Sequence, residues 1–560
     1  MIASRGGSAM ETGKLEALED FKSWMLGEVR DAQDIVDTLE RAGLELRRVE
    51  PADRTSSASG MRTWLLFWEP PRYLRESFDL APELLLVLTP WKEAQARDVS
   101  LAEETLRRDH RLDRGVVLVV ARDAAAERRL AHPVQHTGRL YIFVSADEVL
   151  TAQDPQRWLR DIFQERIGSG DLFAAGRPVF GWDFVGRQQE LRSIRGRLLD
   201  GRPVGLYGLR KAGKTSVLIA LKDQLIADAG ADGDSIVAIP IHLDLLSLSF
   251  AEMKRSGFMR YLLRSLHEAL ERLGIAPTTL GLPASFADRR RLGELDGEDL
   301  ERLVPEALEC LIDWARSAPS APAIFLLIDE YERILGASRF PVQDGLDILD
   351  YLRGLVQRYP RTFNILIAGL DRQKASVSRY GQRQNPLFNF IVDHPLAGLE
   401  REEMNELIRK IGRRLSLRFA SDALDVIWRE TGGHPYLARE FGRVIDREIP
   451  SQKRDSMRID RAIALEHLEE FRREVAPTMQ EIHDAVRTID PRAPDVLAYI
   501  QQFPEETDES LGTLRPESVH TLRRYGVLNE TGAREPLRIG SFGAWLLQNQ
   551  PIDISTAANA

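Results

Sequence analysis

The stretch VGLYGLRKAGKTSVLIA, Val204 to Ala220, constrains this chain more than any other. Its centre, Gly208-Leu209-Arg210-Lys211-Ala212-Gly213-Lys214-Thr215, fits G-x-x-x-x-G-K-[ST]. Ahead of it Val204, Leu206 and Tyr207 read as the end of a buried strand. Behind it Ser216 to Leu221 reads as the apolar opening of a helix. A phosphate-binding loop requires that strand–loop–helix context. Gly208 and Gly213 let the backbone turn its N–H groups inward. Lys214 sets a positive charge on the β- and γ-phosphate oxygens, and Thr215 offers a hydroxyl to Mg²⁺. The helix beginning near Ser216 points its positive end at the anion. Residues 208–216 are therefore candidate nucleotide contacts. The competing reading is a Gly-rich turn without a ligand, which the flanking strand and helix argue against.

A second half-site lies a little over a hundred residues on. AIFLLIDE, Ala323 to Glu330, is an apolar run closed by two carboxylates. Asp329 is placed to hold Mg²⁺ through water, and Glu330 to orient and deprotonate an attacking water. Alone this pattern is weak, since many strands end in an acidic turn. Paired with the loop at 208–215 it predicts Mg²⁺-dependent nucleoside triphosphate binding, and Glu330 adds hydrolysis. The run Asn364 to Ala368 leads into Gly369-Leu370-Asp371-Arg372, where a γ-phosphate-sensing group should sit. Asp371 and Arg372 are the candidates, against the alternative of a solvated turn. With Ile236 to Leu245, four core strands alternate with helical stretches, which predicts a parallel, doubly wound sheet.

At 560 residues the chain has room for three or four domains. A net charge of −10 argues against a generic nucleic-acid-coating protein while leaving room for a local basic surface. The single cysteine, Cys310, permits neither an intrachain disulfide nor a CxxC-type metal site, so a reducing, cytoplasmic setting is expected. The first residues show no apolar core of a secretory signal, and no apolar run is long enough for a membrane span.

Upstream of the phosphate loop, residues 13–47 carry helical periodicity through Leu15, Leu18, Phe21, Trp24, Met25, Val29, Ile35, Leu39 and Leu44. Residues 51–60 read as a loop. The apolar runs Trp64 to Trp68, Leu84 to Leu88, Val116 to Val120 and Leu140 to Val144, with a helix over 99–112, predict a small α/β domain over residues 13–165. It contains no clean nuclease core of the Asp…Glu-x-Lys type. Trp91-Lys92-Glu93, Asp98, Glu103 and Glu104 are the nearest approach and read better as solvated or helix-capping charges. His132 and His136 flank Pro133 in a predicted loop and read as surface histidines. Residues 171–185 look like a connector, and 277–297, rich in breakers and charge, like an exposed loop.

Downstream, helices are predicted over 400–415 and 420–430, then Thr431-Gly432-Gly433-His434-Pro435-Tyr436-Leu437 turns into another. The end of the chain, LRRYGVLNETGAREPLRIGSFGAWLL, has the order helix, turn, strand, loop, strand of a winged helix.

Taken together, Phe184-Val185-Gly186-Arg187 with Glu190-Leu191, the GLRKAGKTS loop, LLIDE, the NPLF run and TGGHPYL resemble the AAA+-related, archaeal-type and STAND ATPases over about residues 170–550. The resemblance implies an α/β fold in which a P-loop core (171–398) carries a helical lid (399–490) and a winged-helix-like domain (491–550), preceded by the small α/β domain. It implies that Val185, Gly186 and Arg187 line the base pocket, and that His434 and Pro435 on the lid sense the bound nucleotide. It further implies ATP and Mg²⁺ as cofactors, and a nucleotide-driven switch that assembles with copies of itself in signalling or defence. The alternative is an ATPase that binds or remodels DNA through the winged helix. Two departures from the AAA+ pattern fit a slow switch better than a ring motor. No arginine finger stands out among Arg353, Arg358 and Arg361, and the usual first-sensor asparagine is missing after NILIAGLD.

Overall fold

The computed structural model describes residues 31–51, 63–78, 80–89, 94–109, 111–122, 125–135, 139–168, 172–173, 178–179, 184–231, 236–249, 252–282, 286, 289–336, 339–415, 417–449, 457–503, 515–531, 533 and 535–549. The predicted helical residues before 31, and Trp91-Lys92-Glu93 and His136, lie outside them.

Strands β1 (Glu45–Pro51), β2 (Trp64–Glu69), β3 (Glu83–Leu88), β4 (Leu112–Ala121) and β5 (Leu140–Ser145) lie side by side in chain order. Neighbours among the first three are antiparallel, and the last three are parallel. Both faces are covered. Leu66, Trp68, Leu86 and Leu118 pack against helices Ala32–Arg41 and Pro155–Gly168. Leu65, Phe67, Leu85 and Val117 pack against Ala96–Arg108 and Ala126–Gln135. A strand buried on both sides must be apolar throughout, which is why these runs were legible. β1 was not. Periodicity extended the first helix to residue 47, but the chain turns at Gly43 (φ +92°) and re-enters as an edge strand. There Glu45 and Arg47 face solvent, and Arg47 pairs with Glu69 of β2. His132 falls inside helix Ala126–Gln135 rather than in a loop.

The core sheet is built from β6 (Val204–Gly208), β7 (Ala238–Asp244), β8 (Ala323–Asp329), β9 (Phe363–Gly369) and, after a small hairpin of β10 (Arg379–Tyr380) and β11 (Arg383–Gln384), β12 (Val392–Leu396). The five lie in the order β12-β6-β9-β8-β7, all parallel. This is a doubly wound P-loop fold with helices on both faces. β12 is the strand the sequence reading lacks, since Asp393, His394 and Pro395 do not read as β. It lies at the sheet edge, where a residue without an N–H is tolerated. β9 enters between the phosphate-loop strand β6 and the acidic strand β8, so the carboxyl ends of three neighbouring strands meet, the usual ligand edge of such a sheet.

Residues 277–297 are not an exposed loop. The 3₁₀ turn Pro277–Leu280 and helix Arg289–Glu294 bring Leu280, Leu282, Phe286 and Leu292 into the core. Four apolar residues scattered among breakers carry no period, so tertiary packing alone recruits them.

The link from β9 to β12 is knotted by Asn385, which is fully buried. Its Nδ2 donates to the carbonyls of Lys374, Ala375 and Val377 at 2.9, 3.2 and 2.8 Å, and its Oδ1 accepts from Leu387 N–H at 3.1 Å. Asn385→Ala removes all four bonds at once, although the Lys374 carbonyl keeps the Tyr380 hydroxyl at 2.8 Å. The expected cost is about 3 kcal/mol, read as a fall of roughly 5–10 °C in the core's melting transition.

The segment expected as a lid, called the lid below, consists of helices Arg401–Arg414, Ser421–Thr431, Pro435–Glu448 and Arg461–Glu466, followed by the long helix Leu468–Ile489. Helices Ala493–Gln502 and Pro516–Arg524, one antiparallel bridge between Leu528 and Leu537, and helix Gly540–Asn549 are the last described elements. The predicted strand pair is reduced to that bridge. In the connector, Phe173 packs onto the lid, its ring filling a socket on the lid helix at Gly442. A Cβ there would lie 2.2 Å from the ring. Among the described residues no helix is long and apolar enough to cross a membrane.

Candidate functional site

A cavity of about 610 Å³ opens where the P-loop, the acidic turn and the lid converge. It is lined by Arg210 to Val217 from the loop and its helix, by Glu330 and Glu332, by Phe184, Val185 and Arg187, and by Pro435, Tyr436 and Arg439 of the lid.

β6 is buried throughout and delivers the loop. A Cβ on Gly208 would meet the Leu396 carbonyl of β12 at 2.6 Å, and Gly213 has φ +96°, so both glycines are sterically required. Lys214 opens helix Lys214–Ala231, and its Nζ donates to the carbonyls of Gly208 at 2.9 Å and Leu209 at 3.0 Å. Burial pushes the ammonium down, opposed by the charges of Glu330, Glu332 and Asp329. An anion in the cavity would add to that countercharge. Ser216 lines the cavity and accepts the N–H of Val179 at 3.0 Å.

The Mg²⁺ candidates Thr215 and Asp329 meet across 114 residues, Thr215 Oγ1 donating to Asp329 Oδ2 at 2.5 Å. Burial pushes the Asp329 carboxyl up to about 6, with the Thr215 hydroxyl opposing the shift. These are two hard oxygen donors in a place that disfavours a bare carboxylate charge, which is chemistry that suits Mg²⁺. Among the described residues there is no group of three His, Cys, Asp or Glu able to hold a metal alone. A cation here would complete its shell with phosphate and water oxygens. Glu330 follows at φ +55°, its N–H donating to Asp329 Oδ1 at 3.0 Å, and that left-handed turn carries its carboxylate into the lining.

The N-terminus of helix Pro435–Glu448 packs against the loop. His434 Nε2 lies 3.0 Å from the Arg210 carbonyl. Burial pushes the imidazole down to about 4, so it is neutral and donates from Nε2. Pro435 Cγ lies 3.9 Å from the position a Cβ would take on Gly213. Lys211, at the loop's tip, has its Nζ 4.2 Å from the centre of the Tyr436 ring and 3.4 Å from Glu481 of the long helix.

The Val185-Gly186-Arg187 segment divides. Val185 and Arg187 line the cavity, but the Arg187 guanidinium is committed to the fold. It donates to the carbonyls of Ala397 at 2.6 Å, Gly398 at 3.3 Å and Ala212 at 3.5 Å, and pairs with Glu190 at 2.9 Å. Gly186 (φ +74°) is packed against Glu403, with a would-be Cβ 2.7 Å from the carboxyl carbon, and is not part of the lining.

Arg372 is also outside the lining. Its guanidinium pairs with Asp393 of β12, and Asp371 caps the helix Arg372–Ser376. The polar group at the end of β9 is Glu332, whose carboxylate covers Gly369 and accepts the Leu370 N–H at 2.8 Å. Of the arginine-finger candidates, Arg353 donates to the Pro386 carbonyl, Arg358 pairs with Glu309 and Arg361 sits in a turn at φ +68°. None lines the cavity.

Sequence reasoning missed Glu332, Arg439, Leu370 and Leu399, which share the lining. Arg439 and Pro435 lie one helical turn apart, a spacing that could have pointed to Arg439. Arg439 also donates to the Leu172 carbonyl at 2.7 Å, beside Phe173 in the connector. In the amino-terminal domain the nearest nuclease candidates serve the fold. Asp98 accepts from Thr63 and from Gln95 N–H, Glu103 holds Arg139 and Tyr141, and Glu104 pairs with Arg108.

No protein-family model matches this chain, and no curated protein does. Among solved structures it is similar to the Walker-type ATPase PabY2304 of Pyrococcus abyssi, at 13% identity and TM-score 0.43, over 67% of this chain and 99% of that one. It is also similar to the Aeropyrum pernix ORC2 protein, at 12% identity and TM-score 0.38, over 67% and 96%. A third is the Thermotoga maritima RuvB Holliday junction branch migration motor, at 15% identity and TM-score 0.29, over 66% and 96%.

Proposed function

We propose that this chain is an ATP-binding, slowly hydrolysing switch of the AAA+/STAND type, with Mg²⁺ held by Thr215 and Asp329 and the attacking water oriented by Glu330. Lys214 and the loop N–H groups bind the phosphates. Val185, Phe184 and Leu399 supply an apolar wall for the base, and Pro435 and His434 bring the lid onto the loop. Lys214 supplies the charge and Glu330 the base for an in-line attack by water.

The observation that carries the switch reading is a pair of shared residues. Leu370 and Leu399 line the cavity, and the C-terminal module holds both of their carbonyls. Tyr525 OH donates to Leu370 O at 3.3 Å and Arg538 Nη2 to Leu399 O at 3.2 Å. These two bonds are the route by which a change in the cavity's width would be passed to that module. The connector that follows the amino-terminal domain meets the cavity-lining Arg439 through the Leu172 carbonyl, at 2.7 Å. A ligand shifts such an equilibrium only by its difference in affinity for the two states, which the terminal phosphate can supply.

The test is the particle mass by light scattering with Mg²⁺ and either ADP or a non-hydrolysable ATP analogue. Growth to a discrete larger species with the analogue alone is expected for an assembling switch. An unchanged mass, together with a salt-sensitive gel shift of duplex DNA, would favour the alternative, an ATPase that works on DNA through its winged-helix-like end.

A further inference from the structure

Glu332 is a carboxylic acid the reaction scheme above does not use. It lies in the turn Tyr331–Ile334 just beyond Asp329 and Glu330 and is 8% exposed. Its Oε1 accepts the Leu370 N–H at 2.8 Å. Its Oε2 is buried and has no hydrogen-bond partner. The residue lines the same cavity as Lys214, Thr215 and Glu330. Gly369 makes room for it, since a Cβ there would lie 1.9 Å from Oε2. The fold therefore gives up a side chain at the end of β9 to seat a carboxyl beside the catalytic end of the cavity.

The two oxygens have different surroundings. Oε1 faces a fixed N–H donor and must accept. Oε2 faces no donor, and a bare carboxylate oxygen buried that way is costly. The ionisable groups that act on it are Glu330 just before its turn, Tyr331 on the turn itself, and Lys214 on the phosphate-loop helix. Burial pushes the Glu332 carboxyl up to about 7, and the Glu330 charge adds to the shift. A proton on Oε2 removes the burial penalty and turns that atom into a donor.

We propose that Glu332 is a terminal-phosphate recognition residue, a neutral carboxyl whose Oε2–H donates a hydrogen bond to the phosphate that ATP has and ADP lacks. This rests on the nucleotide reading above. It assigns the γ-phosphate contact to Glu332 instead of Arg372, which is turned away to Asp393. Neutral acids in apolar sites can act as donors at neutral pH. The contact makes the preference for ATP over ADP depend on pH. Below the Glu332 pKa the donor is present; above it an anion faces the phosphate and repels it.

The experiment is titration calorimetry of the full chain with Mg²⁺-ADP and with a Mg²⁺-bound non-hydrolysable ATP analogue, at about pH 6 and about pH 8.5. In the wild type the preference for the analogue should fall about tenfold between the two. Glu332→Gln keeps a donor that cannot titrate, so it should hold the low-pH preference at both values. Glu332→Ala should lose about tenfold in preference at the lower pH and show no pH dependence. Protonation of Asp329 affects both nucleotides through the shared cation and largely cancels in the ratio, and the Gln variant isolates what remains. A Gln variant that behaves like the Ala variant overturns the proposal, because the carboxylate would then act as an anion. A flat wild-type ratio with an unaffected Gln variant overturns it too, because Glu332 would only support Leu370. If the wild type binds neither nucleotide, the nucleotide reading falls first; if it binds both without these signatures, only the role of Glu332 falls.

Discussion

Lys214→Ala is expected to weaken ATP binding by about 100-fold or more, while the unliganded protein keeps its melting temperature. The two halves of this expectation share a cause. Lys214 is 7% exposed, and its ammonium donates to the loop's own carbonyls, Gly208 O and Leu209 O. Burial disfavours its charge. Removing it costs the apo fold little, because a desolvated cation leaves together with two modest hydrogen bonds. With a polyphosphate present, the same ammonium is one partner of a buried charge pair, and truncating such a partner costs about 2–5 kcal/mol. The measurements are titration with a fluorescent ATP analogue and the rise in melting temperature that ATP produces, which should nearly vanish in the variant. Unchanged affinity would falsify the phosphate-loop assignment.

Glu330→Gln should separate binding from turnover. The affinity for ATP should stay within a few-fold, and hydrolysis should slow by about 100-fold or more, the usual contribution of a placed general base. The backbone supports a clean test. Glu330 takes φ +55°, and its conformation is held by its own N–H on Asp329 Oδ1 at 3.0 Å, which a glutamine preserves. Glutamine can still accept a hydrogen bond from water but cannot take its proton. Single-turnover hydrolysis is the proper readout, because product release can mask the chemical step. Turnover at the wild-type rate would remove Glu330 from the water-activating role and leave Glu332 as the acid to examine.

Most of the fold was legible because burial leaves a mark on composition. Strands covered on both faces, such as LLLVL, VVLVV and AIFLLID, cannot carry polar side chains and so announce themselves. Strands at sheet edges escape that rule. β1 mixes Arg47 and Arg48 with Val49, and β12 carries Asp393, His394 and Pro395, so neither was read as a strand. The stretch at 277–297 shows the opposite error: its breakers and charges hide Leu280, Leu282, Phe286 and Leu292, which have no common period yet share the core.

The site divides along the same line. The sequence by itself determined the phosphate loop and the acidic strand end. In each, neighbouring residues within a few positions supply the chemistry, and glycine geometry, a lysine, a threonine and two carboxylates suffice to name it. Only the tertiary structure decided which other groups face that chemistry. Thr215 meets Asp329 because β9 sets β6 and β8 at the right spacing. Arg187 spends its donors on Ala397, Gly398 and Ala212 and becomes a clamp. Arg372 is taken by Asp393, a residue of the strand that was not foreseen. Glu332 reaches the cavity because Gly369, thirty-seven residues away, has no side chain. A local motif reports what a few adjacent residues can do. Which distant side chains point at the same space depends on strand order and on the close approach of backbones, and no short window of sequence carries that information.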